Sequence, residues 1–367
     1  PFLKEERQLI ENLASIISNY LNSQEARKIL EKSLEQDDVL EELSQFQHPR
    51  EVNSRMLLQK FLGKQNANRD IFHDLMRYRV KEILLVATLY DAFSIEKEGR
   101  FSEHILGEYS QLNLTNAPRV TGVSNYDEAI EQLNSRHFDM VILMIGNDKV
   151  TPMQVSARVK SDYPYIPIYV LLNNDKEVSS FKETNPTLSN IDQLFVWNGD
   201  SNIFFAMVKQ LEDKVNVEND IQLGLVKTIL LVEDSEIYYS RYLPLLYNTV
   251  LEQTKRIIDD VSTDELFKVL RLRARPKILL ATTYEEAIEK VEKYQDSLLC
   301  LISDVKFPKG GVLDDNAGFS LVAQVRDMIK GLPTVIQSSD IKNATRAFEL
   351  KSTFINKIGR ASCRERV

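Results

Sequence analysis

The sequence predicts an α/β fold with two tandem parallel sheets and a helical segment in front of them. In the C-terminal half, short apolar runs of β type each end in a polar functional group, which is typical of the carboxyl edge of a parallel sheet. The run ILLV occurs at 83–86 and again at 229–232, so the strand pattern has an earlier copy. A chain of 367 residues is long enough for two or three domains.

The polar groups of the C-terminal half form a coherent chemical set. They are, in chain order, Glu233, Asp234, Asp304, Ser338 and Lys357. Taken singly, each could be an ordinary residue capping a strand. Three carboxylates on one edge would repel one another unless a divalent cation lay among them, and hard oxygen ligands favour Mg²⁺. Asp304 would then be a nucleophile that forms an aspartyl phosphate. Lys357 would supply a cation for the phosphoryl oxygens, and Ser338 a hydroxyl to bond one of them.

Residues 227–357 resemble a receiver domain of two-component signalling in the order and spacing of these motifs. The supporting spacings are Pro333 five residues before Ser338, Pro308 four residues after Asp304, and Phe354 three residues before Lys357. The resemblance implies a flavodoxin-like, doubly wound sheet of five parallel strands.

The same resemblance implies a function and further site residues. A histidine kinase or a phosphotransfer protein would donate a phosphoryl group to Asp304 with Mg²⁺ as cofactor, and this would switch a downstream output. The implied metal ligands are Glu233, Asp234, Asp304 and the main-chain carbonyl of Lys306. Phe354 would be the aromatic residue that moves with the switch. The chain would thus be a phosphoacceptor without a complete catalytic domain.

The earlier copy spans residues 80–215 and keeps the core pattern. Four of its residues recur at a constant offset, Pro118, Tyr126, Ala129 and Ile130 as Pro276, Tyr284, Ala287 and Ile288. The polar groups do not recur, because receiver spacing places Met144 at the nucleophile position, Leu172 at the hydroxyl position and Asn198 at the lysine position. Ala87 stands where the second copy has its first acid. We therefore expect a pseudo-receiver that lost phosphotransfer; an unrelated α/β domain is the alternative.

Residues 1–79 are predicted to be a helical signalling or connecting segment. Its apolar stripe, at three and four spacing, comprises Leu9, Leu13, Ile16, Ile17 and Tyr20. Such a stripe buries against a partner, either a second copy of the chain, which would give a homodimer, or the body of the same chain. Residues 216–226 are predicted to be a short joint between the two copies.

Both ends of the sequence carry further expectations. The chain begins at Pro1 instead of Met, so residues are expected upstream. The last ten residues, 358–367, look like a translated sequencing adapter and are set apart as a non-native tail. Receiver domains of this kind have a further helix after the lysine strand, so the native chain is expected to continue past Lys357 into an output domain.

Composition argues against several classes of function. With 46 basic and 54 acidic residues, the net charge is −8, which disfavours a nucleic-acid surface. No apolar stretch approaches the roughly 18 residues of a membrane span, and no signal-peptide pattern opens the chain. The two cysteines cannot form a disulfide framework of the secreted kind, so a cytoplasmic location is expected.

A second class of function stays open on the sequence alone. The tandem arrangement, with segment 78–86 followed by 90–93, resembles the front part of bacterial phosphoenolpyruvate synthase or pyruvate phosphate dikinase-type proteins. Under that interpretation both copies would be interaction or regulatory modules without turnover, Asp304 would be a relic, and a dikinase-type catalytic domain would follow. The intact five-residue set favours the phosphoacceptor, because drift would have removed at least one member.

Overall fold

The computed structural model describes residues 11, 14–15, 74–87, 117–145, 150–185, 188–197, 199–261 and 272–357. The predicted apolar stripe of the N-terminal segment and the predicted tail lie outside these ranges. The two partners considered for the stripe, a second copy of the chain and the body of the same chain, therefore stay predictions.

Apolar, often β-branched runs form the strands, and amphipathic runs between them form most of the helices. The strands are β1 (Glu82–Val86), β2 (Arg119–Val123), β3 (Met140–Ile145), β4 (Ile168–Leu172), β5 (Gln193–Val196), β6 (Thr228–Val232), β7 (Lys277–Ala281), β8 (Leu298–Asp304), β9 (Phe307–Lys309), β10 (Val312–Asp314), β11 (Thr334–Ser338) and β12 (Thr353–Asn356). The helices are α1 (Tyr126–Ser135), α2 (Thr151–Asp162), α3 (Glu177–Thr184), α4 (Asn202–Gly224), α5 (Glu236–Val261), α6 (Tyr284–Tyr294), α7 (Ala317–Met328) and α8 (Asn343–Glu349).

The strands form two five-stranded sheets with the same topology. The first sheet has the order β2-β1-β3-β4-β5 and the second β7-β6-β8-β11-β12, and every pair in both is parallel. This order reverses direction at the first strand of each sheet, as in the flavodoxin-like doubly wound fold. The predicted fold class, α/β with two tandem sheets of this type, is confirmed.

The second sheet carries an extra hairpin after β8. Strands β9 and β10 pair antiparallel through a two-residue turn at Gly310 and Gly311, with φ angles of 61° and 77°. Positive φ at both turn positions is what a tight hairpin of this length needs, and glycine adopts it without strain. The segment that follows β8 beside Asp304 is therefore an ordered hairpin.

The two sheets share one layer of helices. Helices α4 and α5 pack against each other, α4 also contacts β7 of the second sheet, and α5 contacts β5 of the first. One continuous apolar core joins the inner faces of both sheets to these helices, with Leu85 and Phe195 from the first sheet and Leu231 and Cys300 from the second. Separate cores lie on the outer faces, under α1–α3 and under α6–α8.

Helix α4 has the composition that this central position requires. All six residues from 203 to 208 are buried, because this part of the helix has protein on every side. The helix runs to Gly224 and ends at Leu225, whose φ of 50° is left-handed and whose N–H bonds the carbonyls of Asp220 and Ile221. Most of the predicted joint, 216–226, is thus the last part of α4. Among the described helices, none is both long and apolar enough to cross a membrane.

Buried polar side chains on the second half of α4 tie the two sheets together. Asp213 forms a double ion pair with Arg275, with N–O distances of 2.7 and 3.0 Å, and accepts a bond from Ile278 N at 2.9 Å. Asp220 lies 2.9 Å from Lys277 Nζ. Because these charges are excluded from water, they are stable only while paired.

A further side chain on α4 serves the first sheet. Asn216 Oδ1 accepts the N–H of Tyr78 at 2.9 Å, and Asn216 Nδ2 donates to the Tyr78 carbonyl at 2.7 Å. This pair of bonds fixes the backbone that leads into β1. The polar sequence around the joint is therefore buried, with its side chains fastening strands of both sheets.

Candidate functional site

The ends of β6, β8, β11 and β12 meet at one edge of the second sheet. The strand register sets Val232 beside Ser303, Gln337 beside Asp304, and Ser338 beside Asn356. Residues at the ends of these strands, or one position beyond, therefore lie next to one another. This is the edge at which open α/β sheets bind their ligands.

Three carboxylates converge there. One oxygen each from Glu233, Asp234 and Asp304 lies within 4.8 Å of the other two. Glu233 is fully buried, and desolvation, partly offset by Lys357, raises the pKa of its carboxyl to about 7. Desolvation, followed by the charge of Asp304, also raises the pKa of Asp234. A nearby cation stabilises the charged form of carboxylates whose pKa is raised in this way.

Lys357 inserts its ammonium group between two of these acids. Lys357 Nζ contacts Glu233 Oε2 and lies 3.0 Å from Asp304 Oδ1, and its side chain is 3% exposed. Burial lowers the pKa of Lys357, but the charges of Glu233 and Asp304 outweigh it and raise that pKa above the usual value. The lysine is therefore a charged group beside the predicted nucleophile.

Ser338 ends β11 with its hydroxyl held by the loop that follows. Ser338 Oγ accepts bonds from Asp340 N at 3.2 Å and from Asn343 Nδ2 at 2.8 Å. Its main-chain carbonyl accepts the N–H of Lys357 at 2.7 Å, which links the two strand ends. Because the hydroxyl oxygen is the acceptor in both of its bonds, its own hydrogen can be donated to a ligand.

Gly318 lets helix α7 approach the end of β8. A Cβ atom at this position would lie 2.0 Å from the main-chain oxygen of Asp304, so any side chain here would force the helix or the strand end to shift. Gly318 N donates to the carbonyl of Val305 at 2.9 Å, so the close approach is fixed by a hydrogen bond. The sequence contains this glycine without any pattern that assigns it a role.

Two residues implied by the receiver resemblance lie close by. Lys306 is exposed, and its side chain pairs with Asp315 at 2.5 Å; the role of its carbonyl as a metal ligand stays a prediction. Phe354 lies on β12 beside Ile336, half-buried against the outer core of the second sheet. Its movement in a switch likewise stays a prediction.

Sequence reasoning missed two aromatic residues at the site, Tyr238 and Tyr242 in the first turns of α5. Lys357 Nζ lies 4.5 Å from the ring centroid of Tyr238 and 6.0 Å from that of Tyr242. Their spacing of four residues places both rings on one side of the helix. The signal was available, as two aromatic residues one turn apart shortly after the acid pair.

The corresponding edge of the first sheet has the same register and different chemistry. Met144 pairs with Leu171 as Asp304 pairs with Gln337, so Met144 occupies the nucleophile position as predicted. One residue further along β4, Leu172 occupies the position of Ser338, also as predicted.

The lysine position of the first sheet differs from the prediction by one residue. Leu172 pairs with Val196, as Ser338 pairs with Asn356, so the equivalent of Lys357 is Trp197, and the assignment to Asn198 is wrong. Trp197 N donates to the Leu172 carbonyl at 2.7 Å, the same bond that Lys357 makes in the second sheet. Its indole packs on Phe204, with ring centroids 5.2 Å apart.

No protein-family model matches the chain, and a search of curated proteins finds no match. Among solved structures, the chain is similar to the signal receiver domain of an HD domain-containing protein from Pseudomonas fluorescens Pf-5, at 19% identity over 39% of this chain and 94% of that one, with a TM-score of 0.26. It is similar to a two-component system response regulator/GGDEF domain protein at 14% identity, over 78% and 96% of the two chains, with a TM-score of 0.32. It is also similar to a LacI family transcriptional regulator from Weissella paramesenteroides with bound glucose, at 15% identity, over 78% and 91%, with a TM-score of 0.22. These similarities are distant, and the receiver-type fold of both sheets rests on this chain's own strand order and register.

Proposed function

We propose that the second unit, residues 227–357, accepts a phosphoryl group on Asp304 as part of a phosphorelay. The observation that carries the proposal is the position of Lys357 Nζ, 3.0 Å from Asp304 Oδ1, at an edge that also gathers Glu233 and Asp234. A carboxylate nucleophile, a fixed cation and an acidic metal site are the components that phosphoryl transfer to an aspartate needs.

In the proposed reaction, a carboxylate oxygen of Asp304 attacks the phosphorus of a phosphorylated imidazole or an acyl phosphate. A bond forms between that oxygen and phosphorus while the bond from phosphorus to the donor's nitrogen or oxygen breaks, and its electron pair leaves with the donor. Lys357 then bonds a phosphoryl oxygen, and this offsets the added negative charge. Ser338 can donate its hydroxyl hydrogen to a second oxygen.

The residues present fit Mg²⁺. The oxygens of Glu233, Asp234 and Asp304 are hard ligands gathered within 4.8 Å, and the main-chain carbonyl of Lys306 would complete the protein's share. When bound, the ion would neutralise charge on the carboxylates and on the phosphoryl oxygens.

Phosphate-affinity electrophoresis with acetyl phosphate and Mg²⁺ tests the proposal directly. The wild-type chain should take up one phosphoryl group that alkali or hydroxylamine removes, as expected for an aspartyl phosphate, and Asp304→Asn should take up none. Asp327→Asn is the matched control, because Asp327 is exposed on α7 and should label like the wild type. Labelling that persists in Asp304→Asn would exclude Asp304 as acceptor, and absence of labelling in every chain would favour a non-phosphorylated interaction module.

A phosphorelay function implies a histidine kinase or a phosphotransfer protein as donor and an output domain as reader. The proposed coupling is that Ser338 moves to the phosphoryl group and Phe354 turns inward behind it, which is a shift between two packings of the β11–β12 region. These partners and the link to dikinase-type proteins rest on sequence resemblance alone. A cytoplasmic location rests on the low cysteine count.

A further inference from the structure

Lys357 is flanked on one side by a pair of stacked tyrosine rings. The rings of Tyr238 and Tyr242 have centroids 6.1 Å apart and planes inclined by 18°. The ammonium group lies 4.5 Å from the Tyr238 centroid, well inside the distance of about 6 Å at which a ring face attracts a cation. At 6.0 Å, Tyr242 is at that limit and mainly supports its neighbour.

Burial makes this contact effective. The Lys357 side chain is 3% exposed, so little water competes for the ammonium group. An ammonium group has three N–H donors. Glu233 and Asp304 accept two of them, and the face of the Tyr238 ring lies within reach of the third.

We propose that Tyr238 is a positioning residue, which holds the ammonium group of Lys357 beside Asp304 by cation–π attraction; its value for phosphoryl transfer rests on the function proposed above. The side chain of Lys357 is drawn toward two acids, and its contact with Glu233 competes with its contact with Asp304. A ring on the third side restrains the ammonium group at the point where it serves both.

The first sheet fixes the part of α5 that carries the Tyr238 ring. On the adjoining side of α5, the hydroxyl of Tyr239 donates to the carbonyl of Leu194, and Ser240 Oγ accepts the N–H of Val196 at 3.0 Å. Both partners belong to β5 of the first sheet. The first turns of α5 are thus fastened to one sheet while they present Tyr238 to the lysine of the other.

Two substitutions in the full chain separate the ring from its hydroxyl. Tyr238→Phe keeps the aromatic face, and Tyr238→Leu replaces it with an aliphatic side chain. Tyr238 is only half-buried, so both should fold, and urea denaturation checks this. Tyr238→Met supplies a second non-aromatic side chain if the leucine variant unfolds.

The first measurement is the NMR shift of the Lys357 side-chain protons in lysine-labelled chain, assigned with Lys357→Arg. A ring face close to the ammonium group shifts the adjacent methylene protons upfield. We expect this shift in the wild type and in Tyr238→Phe, and its loss in Tyr238→Leu. The measurement requires no metal and no phosphoryl donor.

The second measurement is the rate of labelling by acetyl phosphate. We expect Tyr238→Leu to label roughly 2- to 30-fold more slowly than the wild type, the range that a cation–π contact accounts for, and Tyr238→Phe to label at the wild-type rate. The proposal is overturned if the upfield shift survives in Tyr238→Leu, if Phe and Leu slow labelling equally, or if the shift is lost without slower labelling. If the wild type does not label at all, the phosphoacceptor function fails, and the NMR comparison alone decides whether Tyr238 holds the lysine.

Discussion

The two sheets have the same strand order and the same register at their carboxyl ends, yet one of these edges is charged and polar and the other is apolar. Where the second sheet presents Glu233, Asp304, Ser338 and Lys357, the first presents Ala87, Met144, Leu172 and Trp197. All four residues of the first edge are apolar. The backbone bonds at the two edges nevertheless match, as with the N–H bonds of Ala87 to Val123 at 3.1 Å and of Glu233 to Ala281 at 3.0 Å.

This comparison separates the residues that form the fold from the residues that carry the site chemistry. The strand interiors and the helix caps are shared, since Asn125 caps α1 as Thr283 caps α6, each accepting the N–H three residues on. The residues at the strand ends pair through their backbones, so their side chains can change from charged to apolar without changing the sheet. The first sheet supports the second through the shared helix layer, in which its strand β5 contacts α5.

The largest expected effect comes from breaking that shared layer. Asp213→Ala would leave Arg275 buried without its partner, and we expect a loss of about 3–5 kcal/mol in the free energy of unfolding, measured by urea denaturation. Glu218→Ala on the same helix is the matched control, because Glu218 is exposed and pairs with Lys293 in solvent. Equal stability of the two variants would show that the sheets are held together by other contacts.

Magnesium should distinguish the two edges. Ligand binding to the folded state adds about 2.7 kcal/mol at a hundred times the dissociation constant, so Mg²⁺ should raise the unfolding midpoint of the wild type. Asp234→Ala should abolish this increase, and Asp327→Ala should keep it. NMR shifts caused by Mg²⁺ should appear around Asp304 and be absent around Met144; shifts at Met144 would contradict the pseudo-receiver assignment.

A pair of glycines tests how tightly each edge is packed. Gly318→Ala should cost roughly 1–3 kcal/mol, because its methyl group would displace the carbonyl of Asp304. Gly122 in β2 of the first sheet has open space around the same added atom, so Gly122→Ala should leave stability unchanged or raise it by about 0.4–1 kcal/mol. Thermal unfolding of both variants checks the difference, and a neutral Gly318→Ala would mean that α7 can move.

The smallest losses of stability are expected from removing the helix caps, and these losses should be similar in the two units. Asn125→Ala and Thr283→Ala each remove a helix cap, and each should cost about 1 kcal/mol by chemical denaturation. Similar losses would support equivalent roles for α1 and α6. A loss confined to one of them would show that the two helices depend on their caps differently.

Much of the site at the carboxyl edge of the second sheet could be predicted, because an apolar run that ends in a polar residue can be recognised in a sequence. The five site residues fall at strand ends for this reason, and Met144 and Leu172 followed from the same spacing. Tyr238 and Tyr242 are visible in the sequence as two aromatic residues one turn apart. Their contact with Lys357 could not be predicted, since it depends on how α5 packs across the sheet. The same holds for Asp213 and Asp220, whose burial is decided by strands far away in the chain.

The error at Asn198 has a specific physical cause. Placing Asn198 at the lysine position aligns Phe195 with Phe354, since each lies three residues earlier. However, Phe195 faces the inner core and Phe354 packs on the outer one. Side chains alternate between faces along a strand, so aligning residues of opposite faces shifts the register by one position. The residue that matches Phe195 is Ile355, which also faces inward.

The shared helix layer has a practical consequence for anyone dissecting this protein. A fragment beginning at residue 227 would keep every residue of the acidic site, yet it would lose α4. Arg275 and Lys277 would be deprived of Asp213 and Asp220, and Tyr247 on α5 would lose the Asp213 carboxylate that its hydroxyl contacts at 3.2 Å. Such a fragment should aggregate or fold poorly. The site residues all lie in the second half of the chain. The contacts that support them begin more than a hundred residues before Glu233, where Asn216 of α4 binds the backbone of Tyr78.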